Sequence, residues 1–290
     1  MVSLKNDEEF QKIRIIPARV IQQTVGNLCL QANTLLRKDV IIALNKALAK
    51  EKNQRARICL KQILDNAQIA RSEKLAICQD TGLPSVFIEI GSNVHVDGNL
   101  YKAVSSGVME GYRRGYFRDS VVIDPLERAT PASSIPLVHT EITGGRRLHI
   151  IVLPKGFGCE NKTRLKMFLP TASKEEIIAF IIETVSCAGA DACPPYIVGV
   201  GIGGTADYAC FIAKKALLRP LNHRNSDSVL ANLEDTLLKK INRLGIGPMG
   251  LGGKTTALAV KIEKAATHIA GLPVCVNISC HALRSAEADI

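Results

Sequence analysis

The hydrophobic pattern changes after Ala70, and this change constrains the fold more than any other feature of the sequence. From Arg19 to about Ala70, apolar residues recur at the spacing of amphipathic helices, with charged residues between them. Beyond the loop that follows, Ser85–Gly91 has the pattern of a buried strand that ends at a glycine, and helical stretches alternate with further apolar runs. The sequence therefore predicts an α+β fold, with a helical portion (1–75) packed with a mixed β-sheet and flanking helices (76–290). Since no repeat or low-complexity linker interrupts 1–290, we expect one domain.

Local signals predict individual elements within the second portion. Ser173 followed by Glu176 has the spacing of a capping box at a helix N-terminus. Two apolar runs, 137–142 and 148–153, flank Thr143-Gly144-Gly145 and predict a β-hairpin. The other predicted elements, in chain order, are a helix over 100–113, a strand over 196–204, a helix over 206–218, a further helix before 244, and strands over 257–263 and 272–278.

Charge and composition limit the classes of partner. The chain has 37 Lys and Arg against 27 Asp and Glu, a net charge of +10, which favours an anionic partner. It has no Trp, only 5 Tyr and 7 Phe, and no basic cluster interleaved with aromatic residues, so stacking surfaces for nucleic acid are poorly supplied. We expect no nucleic-acid partner.

No apolar run approaches the ~18 residues that a membrane span requires, and the N-terminus is charged where a signal peptide would be apolar. The nine cysteines are scattered and odd in number, which favours free thiols and metal ligands over disulfides. The sequence therefore predicts a cytoplasmic protein without a membrane partner.

The loop Cys78–Gly82 carries the strongest chemical signal. It places a thiol, an amide, a carboxylate, a hydroxyl and a glycine in succession. A thiolate binds soft metals, and Gln79 and Asp80 bring a hydrogen-bonding amide and a proton acceptor beside it. One cysteine does not hold a metal alone, so a metal at this loop requires further ligands from elsewhere in the chain. Cys193 and Cys280 are the strongest candidates, because each lies in a loop at the end of a predicted element.

The spacing of these three cysteines is far outside the zinc patterns, so no local motif certifies a metal site. Cys159, in a glycine-rich loop (155–162), competes with them as a ligand. The remaining cysteines are predicted to be buried, on helices or in an apolar run: Cys29, Cys59, Cys187, Cys210 and Cys275. Three thiolates on a four-iron cluster would leave one iron open to act as a Lewis acid in a reversible dehydration.

Two glycine-rich segments are similar to nucleotide-binding motifs, but each lacks a feature that its motif requires. Gly199, Gly201 and Gly204 satisfy GxGxxG, but no second strand closed by an acidic residue follows. In the segment 247–255, five residues instead of four separate Gly247 from the Gly-Lys-Thr of a P-loop. Arg113, Arg114 and Arg118 remain equal candidates to clamp a substrate carboxylate.

Several runs together resemble the alpha subunit, or N-terminal domain, of class I iron-sulfur fumarate hydratases over about 19–290. These runs are Cys78-Gln-Asp-Thr-Gly-Leu-Pro84, Lys155-Gly-Phe-Gly-Cys-Glu-Asn161, Ala192-Cys-Pro-Pro195, Gly201-Ile-Gly-Gly-Thr205, Leu244-Gly-Ile-Gly-Pro-Met-Gly-Leu-Gly-Gly253, His268-Ile-Ala-Gly-Leu-Pro-Val274 and Asn277-Ile-Ser-Cys-His281. Tartrate dehydratase alpha subunits are relatives. The Leu-Pro after Thr-Gly and the Gly-Gly-Lys-Thr-Thr run look more like the fumarase branch.

The resemblance implies reversible hydration of fumarate to L-malate, with tartrate or another hydroxy-dicarboxylate as the alternative substrate. It implies a 4Fe-4S cluster held by three cysteines and a site completed by a beta subunit, in a heterotetramer. The residues that match the family's motifs are, as cluster ligands, Cys78, Cys193 and Cys280; for proton transfer, Asp80; and for binding substrate, Gln79, Arg118, Gly158 and His268.

The chain departs from the family in two places. An asparagine that the family has after the Arg128 region is absent from residues 129–134. Phe157 and Cys159 stand where Gly and Ser are common. The first departure bears on the substrate, and the second adds a thiol beside the expected cluster.

Overall fold

The computed structural model describes residues 13–128, 131–132 and 135–290, with 131–132 described by the backbone only. The helices are α1 (Ala18–Thr34), α2 (Lys38–Lys50), α3 (Gln54–Glu73), α4 (Leu100–Arg114), the single turn α5 (Phe157–Glu160), α6 (Lys174–Ala188), α7 (Ala206–Ala216) and α8 (Ser228–Asn242). The strands are β1 (Arg14–Pro17), β2 (Leu83–Gly91), β3 (Val94–Asp97), β4 (Val121–Val122), β5 (Pro131–Ala132), β6 (Leu137–Thr143), β7 (Leu148–Lys155), β8 (Arg164–Phe168), β9 (Tyr196–Gly204), β10 (Ala257–Thr267), β11 (Leu272–Ser279) and β12 (Ala286–Asp289).

These elements confirm the predicted α+β fold. The capping box predicted at Ser173 is present, because its hydroxyl accepts from the Glu176 N–H while the Glu176 carboxylate accepts from the Ser173 N–H. Among the described residues, no helix combines the length and apolar character that crossing a bilayer requires.

The chain divides into two compact units, each assembled from separate stretches. The first takes its described residues from Met1–Ala32, Leu83–Pro154 and Ser285–Ile290, and the second comprises Asn33–Gly82 and Lys155–Arg284. That the whole chain acts as one functional domain stays a prediction.

The predicted hairpin between β6 and β7 is wrong. In the first unit the strand order is β12–β7–β2–β6, so β2 lies between the two strands and pairs in parallel with β6. The connecting turn hydrogen-bonds to the chain that leaves β2. Ser92 N–H donates to Thr143 O at 2.8 Å, and Asn93 N–H donates to Gly145 O at 2.9 Å. The turn therefore wraps around the end of β2, a long-range pairing that a local turn signal does not encode.

The second unit is built on a mixed sheet in the order β10–β9–β11–β8. β10 is parallel to β9, whereas β11 is antiparallel to both β9 and β8. Side chains of α6 and α8, including Phe180, Ile181, Leu237 and Ile241, bury apolar surface in one core with the strands. α7 contacts the same sheet through Ala209 and Ala213.

Two glycines of β9 allow α7 to approach the strand closely. A Cβ on Gly199 would lie 2.1 Å from Ala213 O, and a Cβ on Gly201 would lie 2.1 Å from Ala209 O. Backbone contact of this kind leaves no room for a side chain. Strand–helix packing therefore accounts for two of the three glycines that mimic a dinucleotide motif, Gly199 and Gly201.

Of the five cysteines predicted to be buried, three are buried in the structure. Cys29, Cys59 and Cys275 are buried. Cys210 is partly exposed, and Cys187 is exposed, which corrects the prediction. Cys187 lies on α6 as expected, but its sulfur lies 4.0 Å from the exposed Arg164 side chain, whereas the neighbouring Val185 belongs to the core.

We predict that Gly201→Ala destabilises the protein by about 1–3 kcal/mol, because the added methyl group must displace the backbone of α7. Chemical denaturation of the metal-free protein measures the effect. Gly144→Ala is the matched control, since no atom lies within 4 Å of a Cβ built there. Equal stability of the two variants would contradict this reading of the packing.

Candidate active site

Antiparallel pairing of β9 with β11 brings two of the predicted ligands together. Ser279 pairs with Ile197, so Cys193, just before β9, and Cys280, just after β11, lie at the same end of the sheet. The His281 backbone N–H donates to Cys193 O at 3.4 Å, and His281 Nδ1 lies 3.0 Å from the same oxygen.

The loop that carries the third thiol, Cys78, is held by Arg284, four residues after Cys280, whose guanidinium donates to the backbone oxygen of Asp80. Burial raises the pKa of the Cys193 thiol, and the charges of Cys280 and Cys78 raise it further. All three residues are partly exposed.

The backbone at Cys193 is left-handed, with φ at 56°. This conformation costs a non-glycine residue on the order of 1–3 kcal/mol and persists where surrounding contacts impose it. One such contact is the Met249 N–H, which donates to Pro194 O at 2.8 Å. The glycine-rich segment that fails as a P-loop thus supports the cysteine loop.

The donor set suits a thiolate-bound cluster better than a single ion. Within the described residues, no three His, Cys, Asp or Glu side chains are arranged to bind one metal ion together. In an iron-sulfur cluster, however, each thiolate ligates a different iron atom, so the sulfurs need not converge on one point. The three partly exposed cysteines, Cys78, Cys193 and Cys280, are of the residue type that such a cluster requires.

Asp80 lies beside this region and is held by the backbone. Its Oδ2 accepts from the Phe157 N–H at 2.8 Å, and its Oδ1 accepts from the Gly82 N–H at 3.0 Å. Residue 156 must be small, because a Cβ on Gly156 would lie 3.1 Å from Asp80 Oδ2. The predicted glycine-rich loop is thus partly helical, since Phe157 begins α5.

Arg284 is a site residue that the sequence analysis missed. It is only 3% exposed. Its guanidinium donates to the backbone oxygen of Asp80 and to Asn33 Oδ1, the latter at 3.2 Å. Arg284 therefore anchors the loop that carries Asp80 and Cys78. The one signal in the sequence was a cationic residue directly after the apolar pair Ala282-Leu283.

A buried ionic network behind α5 was also missed. Lys155 Nζ lies 3.2 Å from Glu160 Oε2 and donates to Ile278 O at 2.8 Å, while Lys214 Nζ lies 2.6 Å from Glu160 Oε1. Asn277 Nδ2 donates to Glu160 Oε2 at 2.9 Å. Burial raises the pKa of Glu160, but Lys155 and Lys214 outweigh it and lower the pKa to about 2.

Cys159 is a buried thiol on the single turn α5, and its pKa is linked to that of Cys280. It is 5% exposed, and its Sγ lies 3.5 Å from Ala192 O. A hydrogen bond with Cys280 raises the pKa of the Cys159 thiol, and the same bond lowers the pKa of Cys280. In the structure the Cys159 thiol donates to Ala192 O, in the segment that leads to Cys193.

The other predicted site residues are not all brought to this end of the sheet. Gln79 and Gly158 are exposed beside Cys78 and Cys159 in sequence. His268 precedes β11, whereas Cys280 follows it, so a strand of about 25 Å separates them. Within one copy of the chain, His268 is therefore remote from the thiols.

Arg118 lies in the first unit, exposed in the segment between α4 and β4. Phe117 and Asp119 on either side of it line a groove of about 650 Å³, as does Arg113. Arg114 has protein partners, Glu110 Oε1 at 3.6 Å and Asn27 Oδ1 at 3.3 Å. The departures at 129–130 and 133–134 lie outside the described residues.

Comparison with known proteins gives consistent matches. The family described as Fumarate hydratase (Fumerase) matches residues 22–289. A Methanocaldococcus jannaschii protein named "Putative L(+)-tartrate dehydratase subunit alpha" is 42% identical over 274 residues, which cover 92% of this chain and 96% of that protein. The L(+)-tartrate dehydratase subunits alpha of Escherichia coli strains UTI89 and K12 are 32% and 31% identical over 268 residues, covering 91% of this chain and 88% of each protein.

The fold and these matches define a hydro-lyase. The chain belongs to the fumarate hydratase (Fumerase) family, and the resemblance drawn from its motifs is confirmed.

We predict that Glu160→Gln lowers the free energy of unfolding near neutral pH and has little effect on it in strong acid. The pKa of Glu160 in the folded protein, about 2, is below its ordinary 4.5, so the stabilisation is fully present above about pH 4.5 and is lost as the pH falls towards 2. The unfolding free energies of wild type and variant should differ by up to about 3 kcal/mol above pH 5 and converge near pH 2.

Chemical denaturation at a series of pH values measures this difference. Glu183→Gln is the control, because Glu183 makes an exposed ion pair with Arg164 that contributes at most about 1 kcal/mol. A difference for Glu160→Gln that does not vary with pH would contradict the assignment of its charge.

Proposed function

We propose that this chain is the alpha subunit of an iron-sulfur hydro-lyase that removes water from a four-carbon hydroxy-dicarboxylic acid, with L(+)-tartrate as the first candidate. The observation that carries the proposal is the placement of Cys193 and Cys280 at the same end of a sheet, in a chain of the Fumerase family. The loop of Cys78 is held by Arg284, and the hydrogen-bonded carboxylate of Asp80 follows Cys78 by two residues.

Cys78, Cys193 and Cys280 would hold a 4Fe-4S cluster as its three protein ligands. When bound, the cluster supplies one iron without a protein ligand, and this iron polarises the substrate hydroxyl that leaves as hydroxide. The surrounding residues match this use. The left-handed backbone at Cys193 and the hydrogen bond from the Met249 N–H to Pro194 O hold the loop that carries this ligand.

Asp80 is our candidate for proton transfer. The Phe157 and Gly82 N–H groups fix both carboxylate oxygens and leave further lone pairs for a substrate or a water molecule. We propose that Asp80 exchanges a proton with the substrate through Oδ1 or Oδ2. Arg284 holds this loop and acts as a positioning residue.

Gln79, Gly158 and Arg118 are proposed to bind the substrate. Gly158 is informative, because a Cβ built there meets only Asp191 O, at 3.9 Å. Packing within the chain therefore does not require glycine at this position, whereas close approach of a ligand to the backbone would. Arg118 would pair with a substrate carboxylate through two parallel N–H bonds.

A beta subunit is proposed to complete the site. The similar proteins are named as alpha subunits, which supports a partner chain and an assembly of the heterotetramer type. His268 bears on assembly as well. Because β11 separates His268 from Cys280, this histidine would line the substrate pocket only if another copy or another chain brings it there. We propose that the protein acts in the cytoplasm, where reducing conditions would keep its nine cysteines available as thiols and metal ligands.

The comparisons change the order of the two candidate substrates. The Leu-Pro and Gly-Gly-Lys-Thr-Thr runs favoured fumarate, but the similar proteins are named for tartrate dehydration. We therefore put L(+)-tartrate first. Hydration of fumarate to L-malate is the second candidate, favoured by the name of the family itself.

We predict that substituting any one of Cys78, Cys193 and Cys280 by Ser abolishes the brown iron-sulfur absorbance of anaerobically purified protein, because each removes one of three ligands. Wild type should carry about four irons per chain. Cys187→Ser is the matched control, since this thiol is exposed on α6 and should leave the iron content unchanged. Colourless wild-type protein with no iron would refute the proposal.

We predict that the chain, coexpressed with its partner subunit, has a kcat/KM for L(+)-tartrate about tenfold or more above that for L-malate, since a site built for the second hydroxyl is left unsatisfied by malate. Dehydration of tartrate yields a 2-oxo acid, whereas malate yields fumarate, so two assays separate the products. A preference for malate would favour the second candidate.

We predict that Asp80→Asn lowers kcat in the same assays. It keeps the shape of the side chain but removes its basic oxygen, so kcat should fall by about 10²–10⁴-fold with unchanged iron content.

A further inference from the structure

Glu51 is a buried carboxylate in the turn between α2 and α3 that the proposed chemistry does not use. It is 3% exposed. Its Oε1 accepts from the N–H groups of Lys52 at 2.9 Å and Asn53 at 3.0 Å, and its Oε2 accepts from the Lys254 N–H at 2.7 Å. The first two bonds are local, whereas the third joins this turn to a segment 203 residues further along the chain.

The three backbone donors hold this side chain as a carboxylate. Burial raises the pKa of Glu51, but the hydrogen bonds from Asn53, Lys254 and Lys52 outweigh it, and the pKa lies below its ordinary 4.5. An amide in the same place would offer only one acceptor oxygen, and its NH2 group would face a backbone N–H. The position therefore fits a carboxylate better than its amide isostere.

Glu51 holds the glycine-rich segment (247–255). Gly253 has a left-handed backbone, with φ at 112°, and a Cβ built there would lie 2.7 Å from Glu51 Oε2. Only a residue without a side chain lets the carboxylate approach this closely. Glycine at 253 therefore allows Glu51 to reach the Lys254 N–H.

The same segment contacts the loop before β9 at two points, one on each side of Cys193. The Met249 N–H donates to Pro194 O at 2.8 Å. Gly250 packs against Ala190, since a Cβ built on Gly250 would lie 2.4 Å from the Ala190 Cβ. Ala190 O in turn accepts from the Cys193 N–H at 3.1 Å. The left-handed backbone of Cys193 therefore depends on the position of the glycine-rich segment.

Backbone contacts close the segment between its two ends. The Gly252 N–H donates to Ile246 O at 2.9 Å. A Cβ built on Gly247 would lie 1.7 Å from Gly252 O, so the backbones of these two glycines are in direct contact. A displacement at Lys254 is therefore passed on to Met249 and is not absorbed by a loose loop.

We propose that Glu51 is a positioning residue for the iron ligand Cys193, whose loop it holds through the glycine-rich segment and the hydrogen bond from Met249 to Pro194. The inference rests on the proposed function, because it takes Cys193 as a ligand of iron. Replacing residues that orient a metal ligand from behind changes metal affinity by about 10–100-fold. Loss of Glu51 should therefore loosen the loop of Cys193 and speed the loss of iron.

The first measurement is hydrogen exchange of the full, metal-free chain, followed by peptide mass spectrometry. In Glu51→Ala, the backbone N–H groups of 190–196 and 247–255 should exchange about tenfold or more faster than in wild type, because hydrogen bonds to a charged group are lost. Glu51→Gln should give a smaller increase, since it keeps one acceptor oxygen. Gly253→Ala should reproduce the pattern of Glu51→Ala, because its methyl group displaces the carboxylate.

Ser173→Ala is the matched control for a general loss of stability. It removes the capping box of α6, in the same compact unit, at the end of the helix opposite to Ala190. The protein should become less stable overall, while exchange of 190–196 stays within about twofold of wild type.

The second measurement is the rate at which a chelator removes iron from anaerobically reconstituted protein without substrate. Release from Glu51→Ala should be about tenfold or more faster than release from wild type, and release from Ser173→Ala should be within about twofold of it. Neither measurement depends on catalytic activity.

Faster exchange at 247–255 without faster exchange at 190–196 in Glu51→Ala would overturn the proposal, since the coupling would then stop short of Cys193. So would equal rates of iron release from Glu51→Ala and Ser173→Ala. Failure of the proposed function has a different signature, because wild type would then hold no iron after reconstitution while exchange at 190–196 still responded to Glu51. That result would remove Cys193 as a ligand and, with it, the role of Glu51 in holding iron.

Discussion

The register between β9 and β11 is the constraint on which the site depends. Since the two strands are antiparallel and Ser279 pairs with Ile197, the chain enters β9 and leaves β11 at the same end. Cys193 and Cys280, separated by nearly ninety residues of sequence, are thereby neighbours. A shift of this register by one residue would turn the alternating side chains of β11 to the opposite faces of the sheet, and the ladder contacts that hold Cys280 would be lost.

Buried ionic contacts hold the loops and the single turn α5 around this strand pairing. Arg284 holds the backbone at Asp80, and the Lys155–Glu160 pair holds α5 against β11. Buried ions of this kind stabilise a fold only when their partners are in place, so they specify one arrangement of the loops. The cost of desolvating them is offset by several hydrogen bonds to each group, as the low pKa of Glu160 indicates.

The sequence was informative wherever a local rule decides the outcome. Helical spacing placed the helices of the N-terminal portion, a capping box began α6 at the expected residue, and apolar runs that border glycines gave β2 and β9. Sequence motifs also named the family correctly. Where pairing partners are distant, local rules failed. Thr143-Gly144-Gly145 has the composition of a hairpin turn, but β2 occupies the place between the strands that it connects.

The residues of the candidate site also divide into those that a local sequence signal predicts and those that only the fold explains. Residue type and loop context suggested Cys78, Cys193 and Cys280, but only the sheet register explains why the last two meet. His268 shares a motif-rich segment with Cys280, yet a strand separates them. Arg284 and the Glu160 network escaped notice, because a buried ion is recognised by its partners, and these come from Asn33, Asp80 and Lys214, remote in sequence.

The most direct measurement of the central claim is an anomalous difference map, recorded at the iron absorption edge from crystals of anaerobically reconstituted protein. The account predicts one compact multi-iron peak that contacts the sulfurs of Cys78, Cys193 and Cys280, with Cys159 beside it and not bonded to iron. Iron elsewhere in the chain, or a peak ligated by Cys159 in place of one of the three, would contradict it.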